Sequence, residues 1–210
     1  MGQPRRLIAI DFDGTLADTW PWFSEVLDEV ADAHGFRKPA YDERKALRHL
    51  NAQAILRSLG IPLWKAPGIL ADVRRRMQSA RPDIAMFAGM PEAVAALSAT
   101  GAVVALVSSN SATNVRRILG PAMCEHFDAF ECGTDLFGKT AKLKRLLKRF
   151  ECVPALSMLI GDELRDIEAA HAAGVAAAAV AWGYNHPDAL RAASPDLFFE
   201  TPDELASWCG

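Results

Sequence analysis

Short, continuously apolar runs alternate with helical patterns along most of this sequence. The runs that we predict to be strands cover residues 7–10, 103–107, 156–160 and 177–181, with a weaker one at 127–131. A strand that is apolar at every position is typical of a parallel sheet covered on both faces. Helical patterns lie between these runs, over residues 91–100, 111–119, 140–150 and 166–173. The alternation predicts an α/β fold with a doubly wound parallel sheet.

The interval between the first two strands breaks this alternation. It contains three helical patterns, at residues 21–34, 42–59 and 62–80, and no strand pattern. Helices inserted after the first strand cannot belong to the alternating core. We therefore predict a core domain formed by residues 1–17 and 85–210 and a small all-α cap domain formed by residues 18–84.

Composition and charge exclude several classes of protein. Half of the 210 residues are apolar, 23% are charged and the net charge is −3, which is typical of an ordinary globular protein. Nothing in this balance favours a nucleic acid or an anionic membrane as a partner. The N-terminal apolar run is four residues long, too short for a secretory signal. No segment approaches 18 uninterrupted apolar residues. We expect a cytoplasmic protein, monomeric or homodimeric, with no nucleic-acid or membrane partner.

The four cysteines show no spacing that indicates a metal or disulfide site. Cys124, Cys132, Cys152 and Cys209 form no CxxC pair. This distribution favours reduced thiols over a disulfide framework or a zinc site.

Polar residues follow the predicted strands at their carboxyl ends, where open α/β sheets bind ligands. One more polar residue precedes the helix between the third and fourth strands. In chain order the set is Asp11, Asp13, Gly14, Ser108, Ser109, Asn110, Lys139, Asp162, Glu163 and Asp166. Clustered carboxylates repel one another unless a cation such as Mg2+ neutralises them. Lysine and hydroxyl donors then hold the remaining charge of a phosphate, and Gly14 allows the backbone to approach it. The pattern predicts a site for a metal ion and a phosphate group.

The same residues resemble the haloacid dehalogenase superfamily. DFDGT at 11–15 is similar to its first motif, VALVSS at 104–109 to the second, Lys139 to the motif lysine and IGDELRD at 160–166 to the fourth. The helical insertion lies in the interval typical of the C1 caps of that family. The resemblance therefore extends along the whole chain and implies the same fold.

The resemblance also implies catalytic roles. Asp11 is the expected nucleophile, which forms an aspartyl-phosphate, and Asp13 is the expected proton donor and acceptor. Asp11, the Asp13 carbonyl and Asp162 are expected to hold Mg2+, with Glu163 or Asp166 in support. Residues expected to bind the phosphoryl group are Ser108 and Lys139, helped by Ser109, Asn110 and Gly14.

The second aspartate of the first motif separates branches of the superfamily. Dehalogenases of this fold lack an acid at the position of Asp13, and transport ATPases carry DKTGT instead. MFAGMPEAVAALSATG before the second motif, and WGYN at 182–185, are similar to phosphoglycolate phosphatase-like members. The implied activity is Mg2+-dependent hydrolysis of a small phosphorylated metabolite, with phosphoglycolate as a candidate. Two alternatives stay open: a phosphomutase similar to β-phosphoglucomutase, and a non-catalytic binding or regulatory protein on this fold.

Several residues have a second, structural interpretation. Lys142 competes with Lys139 for the phosphate role, although Lys139 is preferred because it directly precedes the helix. Ser108–Asn110 also suit a helix N-cap, and Asp166 suits the first turn of a helix, where its charge stabilises the helix dipole. In the cap, Arg44, Arg48, His49 and Trp20 are candidate substrate contacts, but a solvated face or a hinge explains them equally well.

Overall fold

A computed structural model describes residues 4–80, 83–133 and 138–208. The strands are β1 (Leu7–Ile10), β2 (Val103–Val107), β3 (Ala129–Glu131), β4 (Met158–Gly161), β5 (Ala176–Val180) and β6 (Leu197–Phe199). They form one six-stranded sheet in the order β3-β2-β1-β4-β5-β6, and every neighbouring pair is parallel. Because the chain starts in the middle of the sheet and winds outward on both sides, the doubly wound α/β prediction is confirmed.

Helices connect the strands and cover both faces of the sheet. They are α1 (Trp20–His34), α2 (Tyr41–Leu47), α3 (Ala52–Ser58), α4 (Ala66–Ala80), α5 (Met90–Ala99), α6 (Ala112–Cys124), α7 (Gly138–Phe150), α8 (Leu164–Ala173), α9 (Pro187–Ala192) and α10 (Pro202–Ser207). Within the described ranges, no helix is both long enough and apolar enough to cross a membrane.

The central strand β1 contributes to two separate apolar cores. Leu7 and Ala9 pack on one face of the sheet with Leu143 of α7. Ile8 and Ile10 belong to the core on the other face. Because successive side chains of a strand point to opposite faces, all four residues must be apolar, which explains the unbroken run in the sequence.

Predicted and observed elements differ chiefly near the C-terminus. All five predicted strands are present: β1 and β2 have the predicted bounds, and β3, β4 and β5 are shifted or shortened by one or two residues. The sequence did not predict β6, α9 or α10. These elements are three to six residues long, too short to show a clear hydrophobic period.

The single helix predicted over residues 42–59 is wrong, because the structure has two helices there, α2 and α3. Asn51 begins α3, where its Oδ1 accepts a hydrogen bond from the Ala54 N–H at 2.9 Å. The carbonyls of Arg48 and Leu50, between the two helices, accept hydrogen bonds from Asn185 Nδ2. In a continuous helix these carbonyls would accept hydrogen bonds from N–H groups four residues later. They are available to Asn185 because the helix is interrupted there.

The loop at residues 182–186, which follows β5, forms hydrogen bonds with the inserted helical segment. Arg48 Nε donates to the Tyr184 carbonyl and Arg48 Nη2 to the Gly183 carbonyl, both at 2.9 Å. Asn185 is buried, and its Oδ1 accepts from the Leu164 N–H at the start of α8. A second contact connects the inserted helices to α6, where Asn114 Nδ2 donates to the Arg74 carbonyl of α4. The division at residues 18–84 into a cap domain remains a prediction.

Replacing Asn185 with alanine is expected to lower the free energy of unfolding by about 1–3 kcal/mol, because buried backbone groups lose their partners. The affected groups are the Arg48 and Leu50 carbonyls and the Leu164 N–H. Urea denaturation measures the change. Asp188→Asn, at a carboxylate that is 81% exposed, is the control and should stay within about 0.5 kcal/mol of wild type. Equal stability of the Asn185→Ala variant and wild type would contradict the expectation.

Three cysteines are free thiols, as the sequence predicted. Cys124 and Cys132 are partly buried and Cys152 is buried, while Cys209 lies outside the described residues. Burial raises the pKa of the Cys132 thiol to about 11. This thiol is therefore protonated near neutral pH and a poor nucleophile.

Candidate active site

The first motif begins where β1 leaves the sheet. The Asp11 N–H donates to the Ile160 carbonyl of β4 at 2.9 Å, which extends the strand pairing to the predicted nucleophile. Asp11 Oδ1 accepts from the Phe12 N–H at 2.7 Å. Gly14 has φ +79°, and a Cβ there would meet the Asp162 carboxylate and lie 2.9 Å from the Tyr184 ring. Glycine is therefore required at position 14 both by backbone conformation and by close packing.

Three buried carboxylates converge at the ends of β1 and β4. Asp11, Asp162 and Asp166 each offer one oxygen, and these oxygens lie within 4.8 Å of one another. Burial raises the pKa of the Asp11 carboxyl to about 7, although Lys139 opposes the shift. Burial also raises the pKa of Asp162 well above its ordinary value, and the nearby Glu163 adds to the effect. A bound cation would stabilise the ionised forms. Hard oxygen ligands at this spacing fit a divalent ion such as Mg2+.

Lys139 reaches this cluster and Lys142 does not. The Lys139 ammonium forms ion pairs with the Asp11 and Asp166 carboxylates. Burial lowers the pKa of Lys139, but the two carboxylates outweigh it and raise that pKa above its ordinary value. Lys142 Nζ instead donates to the carbonyls of Ser108 and Gly133 at 2.7 and 2.6 Å. Both lysines lie within α7, so the expectation that Lys139 directly precedes the helix is wrong, but of the two it is Lys139 whose ammonium reaches Asp11.

Asp13 is held by the segment that follows β2. Asn110 Nδ2 donates to both oxygens of the Asp13 carboxylate, at 3.1 and 3.2 Å, and Ser108 Oγ lies 3.5 Å from Oδ2. Burial raises the pKa of Asp13, and the hydrogen bond from Asn110 opposes that shift. The N-cap of α6 is Ser111, whose side chain accepts from the Asn114 N–H. The capping interpretation therefore applies to residue 111, while Ser108 and Asn110 face Asp13.

If Asp13 has the acid–base role that the resemblance implies, replacing Asn110 with alanine is expected to lower kcat by about tenfold to a hundredfold for an ester with a poor leaving group such as phenyl phosphate. General acid–base catalysis contributes roughly 10²–10⁴-fold, and a displaced Asp13 retains part of it. The loss should be smaller for p-nitrophenyl phosphate, because its leaving group needs little protonation. Steady-state kinetics on both esters checks this, with Asn51→Ala as the control. Equal losses on the two esters would indicate that Asn110 binds phosphate instead.

The structure places two further side chains in the site that the sequence analysis gave no role. Thr15 Oγ1 donates to Asp162 Oδ1 at 2.6 Å, and the Tyr184 N–H donates to Asp162 Oδ2 at 2.7 Å. The Tyr184 hydroxyl is hydrogen bonded to Thr19 Oγ1 at 2.7 Å. Thr15 belongs to DFDGT and Tyr184 to WGYN, two motifs that the sequence already singled out. Only the fold shows that both residues contact Asp162.

Glu163 and Asp166 differ in their relation to the three-aspartate cluster. Glu163 Oε2 accepts from Arg165 Nε at 2.7 Å, so its carboxylate is paired outside the three-aspartate cluster. Asp166 Oδ2 accepts from the Glu163 N–H at 3.2 Å at the start of α8, and its other oxygen pairs with Lys139. Asp166 therefore caps a helix and belongs to the cluster at the same time.

The predicted cap residues make different contacts in the structure. The pattern placed Arg44 and Arg48 four apart on one helix, but α2 ends at Leu47 and Arg48 is its C-cap. Arg44 pairs with Asp28 at 2.6 Å, and Arg48 binds the 182–186 loop. His49 stacks on His186, with ring centroids 4.2 Å apart. Trp20 packs edge-on against Tyr184 at 5.3 Å. Of the four, Trp20, Arg44 and Arg48 line the cavity that contains Asp13, and so does Ser109.

Comparison with known proteins identifies the family to which this fold and site belong. The family model of the haloacid dehalogenase-like hydrolases matches residues 8–180. A phosphoglycolate phosphatase of Synechococcus elongatus is 34% identical over 203 residues, which cover 94% of each chain. An N-acetylmuramic acid 6-phosphate phosphatase of Pseudomonas aeruginosa is 29% identical over 219 residues, covering 95% of this chain and 92% of that protein. The chain belongs to the haloacid dehalogenase-like hydrolase family.

Solved structures support the same fold. A haloacid dehalogenase-like hydrolase from Streptococcus pneumoniae superposes with a TM-score of 0.79 at 16% identity, covering 98% of this chain and 99% of that one. At this identity the likeness concerns the fold alone.

Proposed function

We propose that this protein is a Mg2+-dependent phosphomonoesterase that hydrolyses a small phosphorylated metabolite through an aspartyl-phosphate on Asp11. It shares the phosphatase class with its curated relatives. The observation that carries the proposal is the buried group in which Lys139 pairs with Asp11 and Asp166, beside Asp162. Phosphoglycolate is the first substrate to test, since it is named for the relative at 34% identity.

In the first step, a carboxylate oxygen of Asp11 attacks phosphorus. The bond between phosphorus and the ester oxygen breaks, and Asp13 transfers a proton to the leaving alkoxide. The raised pKa of Asp13 favours the protonated form that this step needs. Lys139, already paired with Asp11, neutralises charge on the phosphoryl oxygens.

In the second step, Asp13 removes a proton from a water molecule whose oxygen attacks the phosphorus. The bond to Asp11 breaks, inorganic phosphate leaves, and both aspartates return to their starting states. Asn110 keeps the Asp13 carboxylate in place through both steps.

Asp11, Asp162 and Asp166 are the side chains that would hold Mg2+, with the Asp13 carbonyl as the backbone ligand. The bound ion supplies charge neutralisation for the carboxylates and the phosphate. Thr15 and the Tyr184 N–H orient the Asp162 carboxylate. Such outer partners hold metal ligands in position.

The test is phosphate release from a panel of phosphorylated metabolites, including phosphoglycolate, with purified protein and Mg2+. Release of inorganic phosphate supports the hydrolase. Conversion of one sugar phosphate into its isomer without release would indicate the phosphomutase instead. A protein that is inert on the whole panel, and that does not bind beryllium fluoride at Asp11, would be the non-catalytic alternative.

A further inference from the structure

A cavity of about 380 Å³ extends from Asp13 into the helices inserted after β1. Ser109 and Asn110 line it where it meets the sheet. Its volume lies within the range of about 300–1,000 Å³ that is usual for small-molecule sites. The cavity therefore accommodates an organic group much larger than the two-carbon acid of phosphoglycolate.

The cavity wall is chiefly aromatic and aliphatic. Trp20 and Phe23 of α1 line it together with Ile69 and Val73 of α4. Tyr184 also lines it, with its ring centroid 5.3 Å from that of Trp20 and 6.3 Å from that of Phe23. The Tyr184 N–H is bonded to Asp162. Apolar wall therefore begins directly beside the catalytic carboxylates.

The arginines that line the cavity already bind protein acceptors. Their partners are Asp28 for Arg44, the Gly183 and Tyr184 carbonyls for Arg48, the Leu70 carbonyl for Arg74 and Glu163 for Arg165. These contacts hold the four guanidinium groups in place along the cavity wall, where their aliphatic stems add to the apolar surface.

The apolar surface continues from the cavity to the outside of the protein. Leu70 lines the cavity and is 38% exposed. The apolar wall therefore reaches the protein surface at Leu70.

We propose that the substrate is a phosphate monoester whose organic group is mainly apolar and larger than a two-carbon unit. This inference rests on the phosphomonoesterase function proposed above. The phosphate lies at Asp11 and Lys139, and the alkyl or aryl group lies against Trp20, Phe23 and Val73.

A series of primary alkyl phosphates from methyl to hexyl tests the inference with wild-type protein and Mg2+. Their leaving groups have similar acidity, so differences in kcat/KM report contacts with the organic group. We expect kcat/KM to rise about fourfold for each added methylene that the cavity buries, and hexyl phosphate to exceed phosphoglycolate. A flat series, or a higher kcat/KM for phosphoglycolate, would overturn the inference while phosphate release would still support the phosphatase.

Direct binding separates this inference from the catalytic proposal. Calorimetric titration compares methylphosphonate with hexylphosphonate, which have no ester bond to hydrolyse. We expect the hexyl compound to bind at least about a hundredfold more tightly. Tight binding together with no turnover of any ester would reject the phosphatase and retain the apolar ligand class. Equal affinities would reject the apolar ligand class.

A pair of variants on α4 locates the contact. Val73→Phe places a phenyl ring inside the cavity, and Ala71→Phe places the same ring on the exposed side of the same helix. We expect the ratio of kcat/KM for hexyl over methyl phosphate to fall by at least about tenfold in Val73→Phe and to stay at the wild-type value in Ala71→Phe. The same ratio in both variants would overturn the placement of the organic group.

Discussion

Asp11→Asn is expected to lower kcat by a factor on the order of 10⁴–10⁶, the size of effect that loss of a nucleophile has in covalent catalysis. By transition-state arithmetic this equals about 5–8 kcal/mol. The amide keeps the shape of the side chain but has no negative oxygen to attack phosphorus. The variant also lacks one of the two carboxylates that pair with the Lys139 ammonium.

The measurement is phosphate release by wild type and variant with the best substrate of the panel. Asp18→Asn provides the control, because Asp18 is a partly buried carboxylate of the same loop and has no assigned role in the site. Mass spectrometry of rapidly quenched wild-type protein should detect a phosphate adduct on Asp11, and the Asp11→Asn variant should form none. Wild-type turnover by the Asp11→Asn variant would end the aspartyl-phosphate proposal.

Removal of divalent metal is the second large effect that we expect. Incubation with EDTA should lower kcat by at least about a thousandfold, because three buried carboxylates would then lack the charge that stabilises their ionised forms. Added Mg2+ should restore the rate. Undiminished activity in EDTA would refute the metal requirement.

A thermal shift gives a readout of the same site that does not depend on turnover. Mg2+ at a hundred times its Kd stabilises the folded protein by about 2.7 kcal/mol, which raises Tm by roughly 5–11 °C for a chain of this size. The shift should be lost in Asp162→Asn and kept in Asp188→Asn, whose carboxylate is exposed. An equal shift in Asp162→Asn would place the ion elsewhere.

Much of the core was predictable from local pattern. The runs at β1, β2, β4 and β5 are apolar throughout because the sheet is covered on both faces, and that signal needs no knowledge of tertiary contacts. The aspartates follow β1 and β4 directly, and parallel strands bring their carboxyl ends to one edge. Topology alone therefore predicted that Asp11 and Asp162 would be neighbours.

Other features depend on contacts between distant residues. Lys139 and Lys142 were both candidates in the sequence, but the Lys139 ammonium pairs with Asp11 and the Lys142 ammonium donates to the Ser108 carbonyl. The direction follows from how α7 packs on the sheet. The helix break at residues 48–51 also coincides with a contact from a distant residue, since Asn185 binds two carbonyls there.

Short segments of the sequence thus contain the candidate reactive groups, whereas no short segment indicates the cavity that we propose for the substrate. Motifs such as DFDGT place candidate reactive groups at strand ends, so residue order and strand periodicity were enough to predict that the aspartates would share one edge of the sheet. The cavity is enclosed by α1, α4 and the loop carrying Tyr184, which lie far apart along the chain. Its apolar wall and the pairing of its arginines arise only when these segments pack together, because each of these contacts joins residues that are distant in the sequence.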